Sequence, residues 1–117
     1  MKVFITDSTL ELKERMSSFT LVDDFDEADT VLVMPGGLAA IYLLLRGIDE
    51  KKDIYLFNKK HAFNDILRGL IKQYEEGRKS QLPNEYMTIE DDLGEIIRKM
   101  EEKKNEELNN GKTSKLL

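Results

Sequence analysis

One short stretch, Val31-Leu32-Val33-Met34-Pro35-Gly36-Gly37, constrains the fold of this chain more than any other feature. Four consecutive apolar residues, two of them β-branched, predict a strand that is buried on both faces. Such strands are typical of parallel sheets that helices cover on both sides. Pro35 ends the strand because it has no backbone N–H to donate. Gly36 and Gly37 lack the Cβ atoms that would keep a ligand away from the backbone.

The residues after this turn, Leu38 to Leu45, contain no helix breaker and predict a helix. A strand, a glycine turn and a helix in this order direct free N–H groups and the positive end of a helix dipole to one place, which suits a phosphate. A Pro-Gly-Gly sequence is also found as a plain tight turn. On these residues alone, the two interpretations stay open.

The rest of the chain alternates between apolar segments with strand-like and helix-like spacing. Strands are expected at 3–5, 19–22, 31–34, 54–57 and 86–89, and helices from 10 to about 17, 38–47, 63 to about 77 and 93–100. A polar loop is expected at 78–84. This alternation predicts the α/β class, with a Rossmann-like parallel sheet of four or five strands flanked by helices in a single domain.

The carboxyl ends of two predicted strands carry the candidate ligand-binding residues. In open α/β sheets, ligands bind at that edge where the strand order reverses. We expect this switch point between the first strand and Val31–Met34, so that Asp7-Ser8-Thr9 and Pro35-Gly36-Gly37 lie side by side. The candidates after the next strand are Asn58, which could equally cap a helix, and His61, which could equally be a surface residue. Lys59-Lys60 could attract a phosphate or form a solvated turn.

Composition excludes several other classes of function. The chain has 117 residues, a net charge of -5, no cysteine and one histidine. Disulfides, thiolate chemistry and a His-rich metal site are therefore excluded, and the negative charge argues against nucleic acid as a partner. No apolar run approaches the roughly 20 residues of a membrane-spanning helix, and the start lacks the length and cleavage site of a secretory signal. Cytoplasm is the expected location. The acidic segment 23–27 has no regular metal-ligand spacing and predicts a solvated loop.

Two further features bear on assembly and domain limits. The helix Leu38–Leu45 has no polar face, which indicates burial inside the domain or against a second copy of the chain. In so small a domain, we expect a homo-oligomer formed through this helix. After residue 103 the composition is too polar to offset the entropy of ordering, which predicts a domain at 1–103 and a mobile tail at 104–117.

The segment Ala28–Gly37 resembles the central motif of the LOG proteins, which were formerly described as lysine-decarboxylase-like. These are cytokinin riboside 5′-monophosphate phosphoribohydrolases within the Rossmann-like SLOG superfamily of nucleotide-ligand proteins. The family pattern is S-D-A, an apolar strand, then P-G-G-x-G-T-x-x-E and a helix. The resemblance extends in order over about residues 25–100. The further matching segments are Ile54–Asn58, His61–Leu67, Tyr74–Gly77 and Tyr86–Met100, with Ile5–Thr9 in the place of the family's first nucleotide loop.

The chain departs from the family where the family keeps its catalytic residues. Counting along the motif, Ala39 replaces the third glycine, Ala40 the threonine and Leu43 the catalytic glutamate. The family's catalytic arginine would fall near Thr20-Leu21. Hydrolysis of an N-glycosidic bond needs a carboxylate to activate water or to stabilise the oxocarbenium-like centre. The resemblance therefore implies ligand binding without turnover.

Three hypotheses follow for the function. The first is a non-catalytic protein that binds a nucleotide-derived small molecule, ADP-ribose-like or cyclic, with no cofactor or metal. Sequestration of an immune signalling nucleotide by a phage anti-defence protein is one setting for such a site. The second is a phosphoribohydrolase or 2-deoxyribosyltransferase-like enzyme with a displaced carboxylate at Asp7, Asp65 or Glu27. The third is a structural dimerisation module. The predicted ligand-binding residues are Asp7, Ser8, Thr9, Pro35, Gly36, Gly37, Leu38, Ala39, Asn58 and His61.

Overall fold

A computed structural model describes residues 1–75 and 87–116 of the chain. The strands in this part are β1 (Lys2–Ile5), β2 (Thr20–Leu21), β3 (Thr30–Val33), β4 (Asp53–Phe57) and β5 (Met87–Glu90). The helices are α1 (Leu10–Arg15), α2 (Gly37–Asp49), α3 (Asn64–Glu75) and α4 (Leu93–Leu116). The predicted loop at 78–84, the predicted end of the third helix at Gly77 and the predicted strand residue Tyr86 lie outside the described residues.

All five strands form one parallel sheet in the order β2-β1-β3-β4-β5. This confirms the predicted α/β class with a parallel sheet, and the fold is a single compact Rossmann-like domain. The chain moves from β1 outward to β2 and then returns to the other side of β1 for β3. The strand order therefore reverses between β1 and β3, at the predicted switch point.

Helices cover both faces of the sheet, which explains why its central strands are apolar throughout. Successive residues of a strand point to opposite faces. In β3, Val31 and Val33 belong to the core beneath α2 and α3, whereas Leu32 belongs to the core beneath α1 and α4. All four residues of β3 are buried, as the absence of polar alternation predicts.

The predicted C-terminal end of the second helix, at Arg46-Gly47, is wrong. The helix α2 continues to Asp49, and Glu50 is its C-cap. Gly47 lies inside the helix, at a position where α2 approaches β4 closely and a side chain would have little room. A Cβ atom at Gly47 would lie 3.3 Å from Cδ1 of Ile54, which is tighter than ordinary van der Waals contact.

The first and last helices also differ in length from the predictions. The helix α1 ends at Arg15 rather than near residue 17. The helix α4 extends to Leu116, so the predicted domain boundary at 103/104 falls within it. There, Nζ of Lys104 donates to the carbonyl oxygen of Ser18 at 3.0 Å and lies 4.8 Å from the ring centroid of Phe19. Residue 104 thus packs on the domain, while mobility of the last turns stays a prediction.

The two sides of α2 have different environments although both are apolar. Ala40 and Leu44 are buried against the sheet. Tyr42 and Leu45, on the outer side, are 63% and 42% exposed. The interior of the domain therefore accounts for only one side of this helix. None of the described helices is long and apolar enough to cross a membrane.

Tyr55 on β4 is a buried residue whose phenol makes the stability of the fold sensitive to alkaline pH. Burial, followed by the negative charges of Asp53, Glu107 and Glu106, raises the pKa of Tyr55 to about 12 from the ordinary value of 10.0. The folded protein therefore keeps this proton more tightly than the unfolded chain does. The contribution to stability is complete below pH 10 and is lost as the pH rises towards 12.

Replacing Tyr55 with phenylalanine is expected to flatten this alkaline decline, because phenylalanine has no proton to release. Urea unfolding of both proteins at pH 9 and pH 11.5 measures the effect, since titrations elsewhere in the chain are common to both. The same loss of unfolding free energy in both proteins would contradict the assignment to Tyr55.

Candidate functional site

A backbone connection between β1 and β3 positions the loops at the switch point. The N–H of Thr6 donates to the carbonyl oxygen of Leu32 at 3.1 Å, and the N–H of Met34 donates to Oγ1 of Thr6 at 2.9 Å. Because Pro35 follows and cannot extend the ladder, the hydroxyl of Thr6 satisfies the last free N–H of this strand end. Thr6 was not among the predicted residues. A threonine directly after an apolar strand is too common to reveal this role in the sequence.

A cleft of about 320 Å³ opens between α1 and α4, above the carboxyl ends of β3 and β4. We call it the switch-point cleft. Its lining residues are Asp7, Thr9, Glu11, Leu12, Arg15, Met34, Pro35, Phe57, Lys59 and Leu93. Its volume lies at the lower end of the range for small-molecule sites, roughly 300–1,000 Å³. The helix α1, with 6 residues, contributes Glu11, Leu12 and Arg15 to this lining.

The structure brings together three of the predicted site residues, Asp7, Thr9 and Pro35, in this cleft. The hydroxyl of Thr9 is occupied as the N-cap of α1, where it accepts from the N–H of Leu12 at 3.2 Å. Ser8 lies instead in a second pocket of about 260 Å³ between the ends of β1 and β2, which Asp7 also lines. The predicted loop 7–9 is therefore divided between two depressions.

The glycine turn opens α2 beside the Asp7 carboxylate. Gly36 is the N-cap of α2, with φ of +126° and no side-chain hydrogen bond to the cap. This backbone conformation favours glycine, and a Cβ atom at Gly36 would lie 3.8 Å from Oδ2 of Asp7. Gly37 and Leu38 form the first turn of the helix. The positive end of the helix dipole thus already has a negative charge beside it.

The positions that correspond to the family's catalytic segment lie outside the cleft lining. Ala39 is exposed and Ala40 is buried against the sheet. Leu43, at the position of the family's glutamate, packs against the core beneath α2 and α3. The cleft is on the opposite face, beneath α1 and α4. A carboxylate at residue 43 would therefore meet apolar neighbours, which is costly for a charge.

Asn58 supports the loop after β4 and does not line the cleft. Its Oδ1 accepts from the buried N–H of Phe63 at 2.8 Å, and its Nδ2 donates to Oδ1 of Asn64 at 2.8 Å. The backbone N–H of Asn58 donates to the carbonyl oxygen of Glu90 at 2.8 Å. Both ends of the amide already have partners, but neither contact is a side-chain cap of the 3₁₀ turn at Lys59–His61, so the helix-capping and ligand-binding alternatives both stay predictions.

The loop that Asn58 supports is tightly wound at its tip. Lys60 and His61 both have left-handed backbone conformations, with φ of 52° and 59°. Each such residue costs about 1–3 kcal/mol, which the surrounding structure must offset. The side chain of His61 is exposed and does not contribute to the cleft lining, whereas Lys59 does. Lys59 therefore lies where a ligand could reach it, and its attraction of a phosphate stays a prediction.

Two cations line the cleft without an ion pair within the part of the chain that the structure describes. These are Arg15, at the end of α1, and Lys59. In contrast, Arg46, Arg68 and Arg98 each pair with a carboxylate. Sequence analysis missed Arg15 and Glu11. Their four-residue spacing, which places both on one side of a helix, was the available signal.

Acidic residues elsewhere serve structural roles. In the segment 23–27, Asp24 caps a short 3₁₀ turn by accepting from the N–H of Asp26, whose carboxylate pairs with Arg46. No group of three or more metal-ligating side chains comes together among the residues at 1–75 and 87–116. Arg46 also lies 4.6 Å above the ring centroid of Phe25, so this cluster ties α2 to the segment before β3.

No protein-family model matches the chain, and no curated protein matches it significantly. The resemblance to the LOG proteins therefore rests on the quoted motifs and on their order along the chain.

Proposed function

We propose that this protein binds a nucleotide-derived, phosphate-bearing small molecule in the switch-point cleft without turning it over. The observation that carries this proposal is the composition of the cleft. Met34, Phe57 and Leu93 provide an apolar surface for a base. Arg15 and Lys59, which have no ion pair among the described residues, provide positive charge for a phosphate beside the carboxylates of Asp7 and Glu11. The location also supports it, because doubly wound sheets bind their ligands at the switch point.

The absence of turnover is proposed from the position of Leu43. The motif that resembles the phosphoribohydrolases has leucine where those enzymes have glutamate, and this leucine is partly buried and packs against the core on the other face of the sheet. The segment near Thr20-Leu21, where the catalytic arginine would fall, forms the two-residue edge strand β2. Binding without hydrolysis suits a protein that senses or sequesters a nucleotide signal.

Calorimetry with AMP, ADP-ribose and the cyclic ADP-ribose isomers tests this proposal. We expect saturable heat from at least one of them, and we expect chromatography to recover that nucleotide unchanged after prolonged incubation. The absence of heat from all of them would contradict binding. Release of the free base would contradict the absence of turnover.

A second candidate function is hydrolysis or transfer at the N-glycosidic bond, with Asp7 as the displaced carboxylate. The cleft favours Asp7 over the other two predicted carboxylates. Asp65 is 93% exposed and pairs with Arg68, and Glu27 lies before β3, at the amino edge of the sheet. If the protein releases base from a nucleoside monophosphate, the Asp7→Asn variant should lose that activity while it keeps the fold.

We also propose that two copies of the chain associate through the outer side of α2. Exposed tyrosine and leucine side chains on one helix form a surface that water solvates poorly. Light scattering tests this association directly. A mass of about twice 13.6 kDa is expected, and a mass of 13.6 kDa would contradict it.

A further inference from the structure

We infer that the cleft holds the anionic group of its ligand between Arg15 and Lys59, and not on the Pro35-Gly36-Gly37 turn. This inference rests on the proposed function, because it assigns the two ends of the same cleft. It goes beyond that function by giving the ligand an orientation and by naming the residues that select it.

The Asp7 carboxylate makes the glycine turn a poor site for a phosphate. Oδ2 of Asp7 would lie 3.8 Å from a Cβ atom at Gly36, and apart from the chain neighbours no other side chain of the described residues lies as close to that position. A phosphate on the N–H groups of this turn would therefore lie close to a carboxylate of the same sign. Like charges at this separation repel each other, and the repulsion grows as the ligand excludes water. The carboxylate itself complements the helix dipole.

Arg15 is held over the other end of the cleft without a carboxylate partner. Its Nη2 would lie 3.7 Å from a Cβ atom at Gly94, so the guanidinium reaches from α1 to the start of α4. The nearby Asp92 Oδ1 already accepts from the N–H of Gly94 at 2.9 Å. Glu11, one turn before Arg15 and in the favourable orientation for pairing, makes no ion pair with it. Among residues 1–75 and 87–116, no acceptor is hydrogen-bonded to this guanidinium, so its donors can serve an oxyanion.

Lys59 supplies a second positive charge from the other wall of the cleft. It follows β4 directly, and the hydrogen bonds of the Asn58 side chain hold the loop that carries it. Arginine recognises phosphate oxygens in a planar, bidentate geometry, whereas lysine acts as a point charge. The pair therefore suits a phosphate or pyrophosphate group rather than a neutral end of a ligand.

The end of the cleft that Asp7 lines then suits the hydroxyl groups of the ligand. In dinucleotide-binding folds, an acidic side chain accepts hydrogen bonds from ribose hydroxyls. With the phosphate at Arg15 and Lys59, the free carboxylate of Asp7 can accept from the ribose, and the base can pack on Met34 and Phe57. The ligand class is a nucleoside phosphate with its sugar hydroxyls free, bound with its phosphate away from the glycine turn.

NMR titration of the ¹⁵N-labelled protein with AMP, adenosine and inorganic pyrophosphate tests this orientation. We expect AMP and pyrophosphate to shift the Nε–Hε signal of Arg15 and the amide of Lys59. Arg15→Gln and Lys59→Gln should each weaken AMP binding by about tenfold or more, because each removes one charge-assisted contact. Adenosine should bind all variants equally. Lys103→Gln is the control, since Lys103 is an exposed cation of α4 that lines neither the switch-point cleft nor the second pocket.

The outcomes separate the two proposals. If AMP binds with unchanged affinity to Arg15→Gln and Lys59→Gln and shifts the amides of residues 36–38, the orientation is wrong and the proposed function stands. If pyrophosphate shifts Arg15 and Lys59 but no nucleotide binds, the anion site stands and the proposed function fails. If none of the three compounds binds the wild-type protein, the anion site is wrong, and the calorimetry with ADP-ribose and its cyclic isomers decides the proposed function separately.

Discussion

Replacing Leu44 with alanine should lower the free energy of unfolding by about 2–5 kcal/mol, the range for large-to-small substitutions in a packed core. Leu44 is fully buried on the inner side of α2, where it belongs to the same core as Val31, Val33 and Leu56. The substitution leaves a cavity between the helix and the two central strands. Urea unfolding monitored by circular dichroism measures the loss, with the wild-type slope expected to be retained.

The neighbouring position provides a matched control with the opposite outcome. Leu45 is 42% exposed on the outer side of α2, so Leu45→Glu should change the free energy of unfolding of the monomer by only about 0.5 kcal/mol. It should instead reduce the mass in light scattering to that of one chain, because it places a charge in the proposed contact between copies. Equal destabilisation by both substitutions would show that the two sides of α2 are misassigned. A wild-type mass for Leu45→Glu would exclude association through this surface.

Replacing Asn58 with alanine is expected to cost about 1–3 kcal/mol, because the buried N–H of Phe63 then lacks an acceptor. The control is Asn64→Ala, which removes the partner of the other amide end but leaves the acceptor for Phe63 in place. The free energy of unfolding should fall less in that variant, since Asn64 is exposed. Urea unfolding of both variants provides the comparison. A greater loss in Asn64→Ala would contradict the assignment.

The Asn58→Ala variant also tests whether the fold supports the proposed site. Asn58 fixes the loop in which Lys60 and His61 have left-handed conformations, and Lys59 is the first residue of that loop. Without the amide, the strained loop should relax and displace Lys59 from the cleft. AMP affinity should therefore fall in Asn58→Ala at temperatures where the protein is still folded. Retained affinity would show that Lys59 does not depend on this support.

Some of the polar residues that line the cleft could be predicted from the sequence and others could not. Asp7 and Thr9 were predicted as site residues because loops after parallel strands meet at one edge of the sheet, and both line the cleft. Arg15 was not predicted because its four-residue spacing from Glu11, the available local signal, equally describes a solvated pair on a helix surface. Its role depends on the start of α4, some eighty positions further along the chain, which no local pattern relates to α1.

The sequence by itself determined the class of fold and the position of the switch point. Uninterrupted apolar runs at 31–34 and 54–57 can be buried on both faces only in a sheet that helices cover on both sides, and short connections limit the order of such strands. Only the tertiary structure decided which side chains come into contact and which face solvent. It placed Leu43 against the core, Leu45 at the surface and Asp7 beside Gly36. Those outcomes depend on helix lengths and on contacts between distant segments, because packing acts between neighbours in space rather than in sequence.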